Sequence, residues 1–351
     1  MTAEAGAALV ARLVERAALD GSTCLPMNAV AASLRGAGLL DVAAALTAAV
    51  DAGTVVSFAD EGLVGHADHA QLEARLAAQL VRLMRTGDDD GLLVVDAPRG
   101  TEPRVVVEPL LAVVEASGGR VVERADLLDL AGAVRLAEKL PDGARLVLVG
   151  DPGMPPAPAP GQVLVDVVSS GAVPVLAAPP AGDELDPFGS LVQSLRAGTL
   201  ARIDTDRREV VVVPAADAAV AVRRAVQLVT DSVPRAFGVA AADVLVVAPR
   251  TDGRTGADAL RAALTEAGTD GVGVCGGTEL AGHGAEAIVL VLGAEAAGSL
   301  TRDLLLAAAT QARRHLSIVH QAGPALADAV ARRPHRSRRT RLAGLLSGSL
   351  G

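Results

Sequence analysis

The sequence predicts an α/β protein: a small N-terminal module of three helices and a hairpin, followed by two domains built on parallel sheets. Three observations carry this. The chain has 351 residues, enough for two or three domains, and half of them are hydrophobic. Short apolar runs rich in Val, Leu and Ile recur from residue 92 onward. Most are followed by a polar turn and an Ala/Leu/Arg-rich stretch of helical length, the pattern of strands buried on both faces by helices.

Residues 1–68 carry helical apolar spacing over Ala3–Leu19, a second helix from Pro26 to about Arg35, and a third over 41–52. Thr54 to Phe58 then alternates, Ala59 to Gly62 turns, and Leu63-Val64 returns. This is the order of a winged helix. The second and third helices offer only Arg35 as a cation, which is thin for reading a groove. An amphipathic helix over 70–85 leads into the loop 86–91. Strands are expected at 92–96, 120–123, 145–150, 173–177, 209–214, 243–249, 271–275, 287–293 and 316–320. Helices are expected between most of them, at 105–116, 131–140, 218–229, 257–267 and 301–312. The Pro/Ala/Gly segment 179–187 marks a seam, which divides the chain into 1–68, 69–180, 181–331 and a tail, 332–351.

Composition excludes several chemistries. Lys139 is the one lysine among 32 basic residues, Trp and Tyr are absent, and the aromatics are Phe58, Phe188 and Phe237. A tyrosine acid, an aromatic cage and a platform for stacking bases are therefore ruled out or nearly so. Cys24 and Cys275 cannot build a disulfide framework or a four-cysteine zinc site, and read as buried thiols. The N-terminus has no signal-like apolar core, and no run approaches the ~20 residues of a membrane helix. The expectation is a cytoplasmic protein with no membrane partner.

The most specific stretch is a buried strand over 144–149 ending in Gly150-Asp151-Pro152, then a Pro-rich loop and Gly161-Gln162. It resembles motif III of superfamily 1 DNA helicases of the RecD type. The segment 307–315 is similar to that family's motif VI, 217–260 to the start of its second RecA-like domain, and 1–68 to its winged helix. The resemblance implies two reduced RecA-like domains and, for an active member, ATP and Mg²⁺ with helicase or DNA-dependent ATPase activity.

The departures from the family pattern point the other way. A phosphate-binding loop needs backbone donors, a lysine and a Ser/Thr for Mg²⁺. At 94–104 only Gly100 and Thr101 survive, Glu102 would repel phosphate, and Pro103 and Arg104 stand at the lysine and Mg²⁺-ligand positions. Glu123 could hold a metal, but Arg124 replaces the water-activating acid. Met154 stands at the sensor glutamine, the 177–182 segment lacks the motif IV arginine, and 278–282 keeps only Gly282 of motif V. Gln311 replaces the arginine finger, although Arg313 remains. The stretches 103–123 and 267–275 are also too short for pieces that the family inserts there. The expectation is a catalytically inactive RecD-like homologue acting as a binding or scaffold protein for an unidentified protein partner, with no cofactor. The alternatives are an ATP-dependent DNA helicase and a winged-helix DNA-binding regulator.

Weaker candidates have plainer explanations. His66 and His69 read as a solvated helix start, 88–90 as a polar loop, His283 as loop, and Ser169-Ser170 lacks a local histidine. The tail holds Arg332, Arg333, Arg336, Arg338, Arg339 and Arg341, leaving 26 basic against 41 acidic residues elsewhere, a balance of −15. Such polarity suits weak, sequence-independent contact with nucleic acid or an acidic partner, through an end with little core to lose.

Overall fold

The computed structural model describes residues 2–87, 91–182, 186–200, 208–269, 271–277, 279–280, 284–321, 323–332 and 338–348. The N-terminal module contains α1 (Ala3–Leu19), β1 (Cys24–Pro26), α2 (Met27–Gly36), α3 (Val42–Asp51), β2 (Val55–Phe58) and β3 (Leu63–His66). The strands form an antiparallel sheet in the order β1-β3-β2. Val10, Val14, Leu34, Ala45 and Val64 make its core. The short β1 was not expected. With three residues it carries too little alternation to be read from sequence.

The next unit has a parallel sheet in the order β5-β6-β4-β7: β4 (Leu92–Asp96), β5 (Arg120–Val122), β6 (Leu146–Gly150) and β7 (Val175–Ala177). The register pairs Val94 with Leu148 and with Val175. One face of the sheet is covered by α4 (Ala67–Thr86), α6 (Leu130–Lys139) and α7 (Val163–Ser169). On the other, Leu93, Val95, Val147 and Val149 pack against α5 (Pro103–Ala116). Pro103 sits at the first helical turn of α5, where its missing N–H costs nothing.

The chain then crosses into a second core through α8 (Pro187–Arg196), capped by the Asp186 carboxylate on the Gly189 N–H. Its parallel sheet runs β10-β9-β11-β12-β8: β8 (Val210–Pro214), β9 (Val244–Ala248), β10 (Gly273–Gly276), β11 (Ala285–Leu292) and β12 (Ala312–His320). The helices are α9 (Ala218–Gln227), α10 (Val233–Phe237), α11 (Ala257–Glu266), α12 (Arg302–Gln311) and α13 (Pro324–Arg332). The single helix expected over 218–229 instead loosens into a π turn, Leu228–Ser232, before α10. β11 and β12 begin earlier than expected, and Ala312–His315 belongs to a strand.

The tail requires a correction. Residues 338–341 run between the N-terminal module and the first α/β unit, and then form α14 (Leu342–Gly348). Leu342 and Leu346 are 1 % and 0 % exposed, inside the core beneath α4 and α7. α14 is thus part of a core. The tail's arginine-rich composition hid an apolar i, i+4 pair. Among the described residues no helix is long and apolar enough to cross a membrane.

Candidate functional site

The carboxyl ends of β4, β5 and β6 open into a cleft of about 380 Å³. The strand order reverses beside β4, the usual place for a ligand crevice in an open parallel sheet. Ala97, Glu123, Gly150 and Asp151 come from the strand ends, Pro103, Arg104 and Val107 from α5, and Thr310 from the second unit.

The loop from β4 to α5 satisfies its donors within the chain. The Ala97 N–H bonds Gly150 O at 2.8 Å, the Thr101 N–H bonds Pro98 O at 3.2 Å, and the Glu102 N–H bonds Pro179 O at 2.8 Å. The Thr101 hydroxyl donates to Pro98 O at 2.7 Å. Gly100 takes a left-handed φ of 89°, which turns the loop back. Pro98 and Pro103 have no N–H to offer.

Arg99 crosses the cleft. Its Nη1 donates to Ala309 O and Ala312 O, both at 2.7 Å, at the carboxyl end of α12. Its guanidinium lies 4.1 Å from the Phe188 ring centroid, with Asp186 at 3.9 Å. A cation on the carbonyls of a helix end is a favourable placement, and it ties the first unit to the second. Burial pulls the Arg99 pKa down from its ordinary value, against the attraction of Asp186.

The acids are paired as well. Asp151, 6 % exposed, is ion-paired to Arg196 of α8 and accepts from the Gly153 N–H at 2.9 Å. Arg124, in a left-handed conformation with φ 56°, folds back on the buried Asp126 at 2.8 Å. Asp96 has its pKa raised, first by burial and then by the neighbouring Asp151. Glu123 is exposed on the rim. Three loop amides thus bond protein carbonyls, Asp151 and Asp126 hold arginines, and Glu123, the acid expected to be able to hold a metal, stands exposed.

Glu123 and Asp151 line the cleft, Gly100 and Thr101 lie on the loop between β4 and α5, and Arg313 is not among the lining residues. That side chain is exposed on β12 and pairs with Glu286 at 3.2 Å. Sequence reasoning missed Arg99, Asp126 and Arg196. Arg196 lies 45 residues from Asp151, and no local pattern connects them.

The described tail arginines are held at separate places. Arg341 stacks 3.4 Å from the Phe58 ring centroid and forks onto both Glu61 oxygens, and its backbone N–H donates to Glu73 Oε1 at 3.0 Å. Arg338 Nη1 donates to Ala159 O and Gly161 O at 2.7 and 2.6 Å. It passes so close to Gly21 that a Cβ there would meet its guanidinium at 2.2 Å. The Arg339 backbone bonds Thr23 and Ser22, while Arg332 pairs with Asp328 at 3.2 Å. Of the six arginines expected to contact nucleic acid or an acidic partner, Arg338 and Arg341 have guanidiniums engaged within the chain. Arg333 and Arg336 lie outside the described residues, as do 88–90, 278 and 281–283.

Beneath this strap lies a buried polar seam. Thr23 Oγ1 donates to Glu73 Oε1 at 2.9 Å, while Glu73 Oε2 is buried with no partner among the described residues. Thr340 Oγ1 and Gln162 Nε2 donate to Asp166 Oδ1 at 2.7 and 3.0 Å. Burial pushes Asp166 up to about 6 and raises Glu73, with the Asp166 charge adding to the Glu73 shift. Cys24 and Cys275 are pushed up to about 11 by burial, so neither is a reactive thiolate at neutral pH. His66 and His69 rings lie 4.7 Å apart, yet among the described residues no group of three or more His, Cys, Asp or Glu could hold a metal ion. No family model matches this chain, and no curated protein is similar to it.

Proposed function

We propose that this chain is a non-catalytic α/β scaffold, a degenerate relative of RecD-type helicases that works by holding a protein partner and turns over no nucleotide. One observation carries the reading: Arg99, in the loop where such motors bind phosphate, is fastened to the carbonyls at the end of α12. The position that would contact a nucleotide serves as a clamp between the two α/β units. The pairing of Asp151 with Arg196 supports the same reading, because Arg196 leads into the second core. The two all-parallel sheets fit reduced RecA-like domains, and the helices and antiparallel sheet of residues 1–68 fit a winged helix. The inward arginines of the tail favour a protein partner over nucleic acid.

The test is a thermal melt of the full chain with ATP and Mg²⁺. A ligand at 100 times its Kd adds roughly 2.7 kcal/mol of stability. The expected result is an unchanged melting temperature. A saturable upward shift overturns the scaffold reading.

A further inference from the structure

The first α/β sheet is covered unevenly. On one face three internal helices and α14 fill the core. On the other, among the described residues, the helical side chains packed on the sheet come from α5 alone. A four-stranded parallel sheet buries both faces when helices lie side by side on each. One helix packs on β4, β5 and β6, and all three residues of β7 are exposed. Leu176 pairs with Val95, whose side chain packs toward α5, so Leu176 points to this same face and is 42 % exposed.

The helix beside this gap is apolar where it should be polar. Val106, Val107, Leu110 and Val114 face the sheet. A second stripe, Val105, Pro109, Ala112, Val113 and Ala116, recurs at i, i+4, i+7, i+8 and i+11 and is exposed along its length. Val105 is 55 % exposed and Val113 48 %. The stripe's direction follows from the cleft: Arg104 and Val107 line it with Val121 of β5, so that side of α5 looks toward β5. The stripe lies on the opposite side, toward β7. Of the eight large hydrophobics exposed among the described residues, Val105, Val113 and Leu176 border this gap, while Leu111 follows Val107 on the β5 side of α5 and Val175, paired with Val94, faces the other side of the sheet. Apolar surface gathered in this way marks an interaction site.

We infer that the slot bounded by the outer stripe of α5 and Leu176 of β7 docks an amphipathic helix of a partner protein whose apolar stripe is bordered by Arg or Lys. The shape follows from the sheet, which lacks one helix of its cover. The charge follows from the solvent rim of the stripe, where exposed Glu108 and Glu115 stand one heptad apart. A second copy of α5 laid antiparallel would set Glu108 against Glu115 twice, and like charges at that spacing repel. A basic border pairs with both. This deepens the scaffold reading by naming its surface and partner chemistry. A melting shift with ATP would sink that reading and leave the slot intact, whereas failure of the slot leaves the cleft argument unchanged.

The test uses the full chain and three labelled 20-residue peptides, read by fluorescence anisotropy. One has a Leu stripe bordered by Lys, one the same stripe bordered by Glu, and one the composition of the first with the stripe scrambled. The expected result is saturable binding of the Lys-bordered peptide, at least tenfold weaker for the other two. Val105→Glu and Leu176→Glu should each weaken it at least tenfold with an unchanged melting temperature, since both side chains are already solvated. Equal binding of the Lys-bordered and scrambled peptides, or full binding by both variants, overturns the proposal. So does a concentration-dependent dimer in sedimentation that Val105→Glu abolishes, because the occupant would then be a second copy.

Discussion

Replacing Asp166 with Asn should make the protein more stable at neutral pH and leave it unchanged in acid. Asp166 is 3 % exposed, and its Oδ1 accepts from Gln162 and Thr340. The other charged group acting nearby is Glu73, itself beside the Arg341 backbone. Burial outweighs the two hydrogen bonds and lifts the pKa from 3.8 to about 6. A carboxyl whose folded pKa exceeds its unfolded value favours the fold when neutral. Its contribution is complete below about pH 4 and is lost as pH rises through about 6. Two units at 1.36 kcal/mol each set a ceiling of about 3 kcal/mol. Glu73 acts with the same sign, and its share shrinks when the Asp166 charge is removed. Asparagine keeps a carbonyl oxygen to accept from Thr340 and Gln162 and never ionises. Because the chain lacks Trp and Tyr, urea unfolding is followed by circular dichroism at half-unit steps from pH 4 to 8. The variant should match the native chain near pH 4 and exceed it by up to about 3 kcal/mol at pH 8. Two curves that stay parallel across the range would refute the reasoning.

Leu346→Ala should destabilise the first α/β unit by about 2–5 kcal/mol, because Leu346 is fully buried; calorimetry should show that transition fall while the second core's holds. Arg341→Ala should cost about 1–3 kcal/mol in a urea melt, combining the loss of stacking on Phe58 with a partly exposed ion pair. A tail without core contacts would show no loss in either variant. Pro103→Lys with Arg104→Thr should not yield ATP hydrolysis, with or without single-stranded DNA, since Arg99, Arg124 and Gln311 remain and such groups act together. A phosphate-release assay checks this, and DNA-stimulated turnover would contradict it.

What could be read from the sequence follows from where the chain buries its information. β4, β6 and β11 from Ala287 onward are covered on both faces, so the buried part of each reads as an unbroken apolar run. The polar switches into and out of α5 were also visible, since Pro103 and Ser117 stand at its ends. α14 was hidden because Arg338, Arg339 and Arg341 dominate the composition just before Leu342 and Leu346. Composition reports charge and says nothing of the partner that neutralises it. Arg341 finds Glu61 across 280 positions and Arg99 finds Ala309 across 210. The cleft could be located from the β6 end at Gly150-Asp151, but its contents could not, because each pairing closes through space.

The place of α14 also bears on the order in which the molecule is completed. The first α/β unit is left by the chain at about residue 182 and is finished only by Leu342–Gly348. Roughly 160 residues separate the two points, and at about 5–20 residues per second a ribosome needs roughly 8 to 30 seconds to cover them. Throughout that interval the nascent unit lacks a helix over its core, and the Glu73–Asp166 seam lacks its lid. A chain that stops before Leu342 therefore leaves on this unit the open apolar face that Leu342 and Leu346 cover.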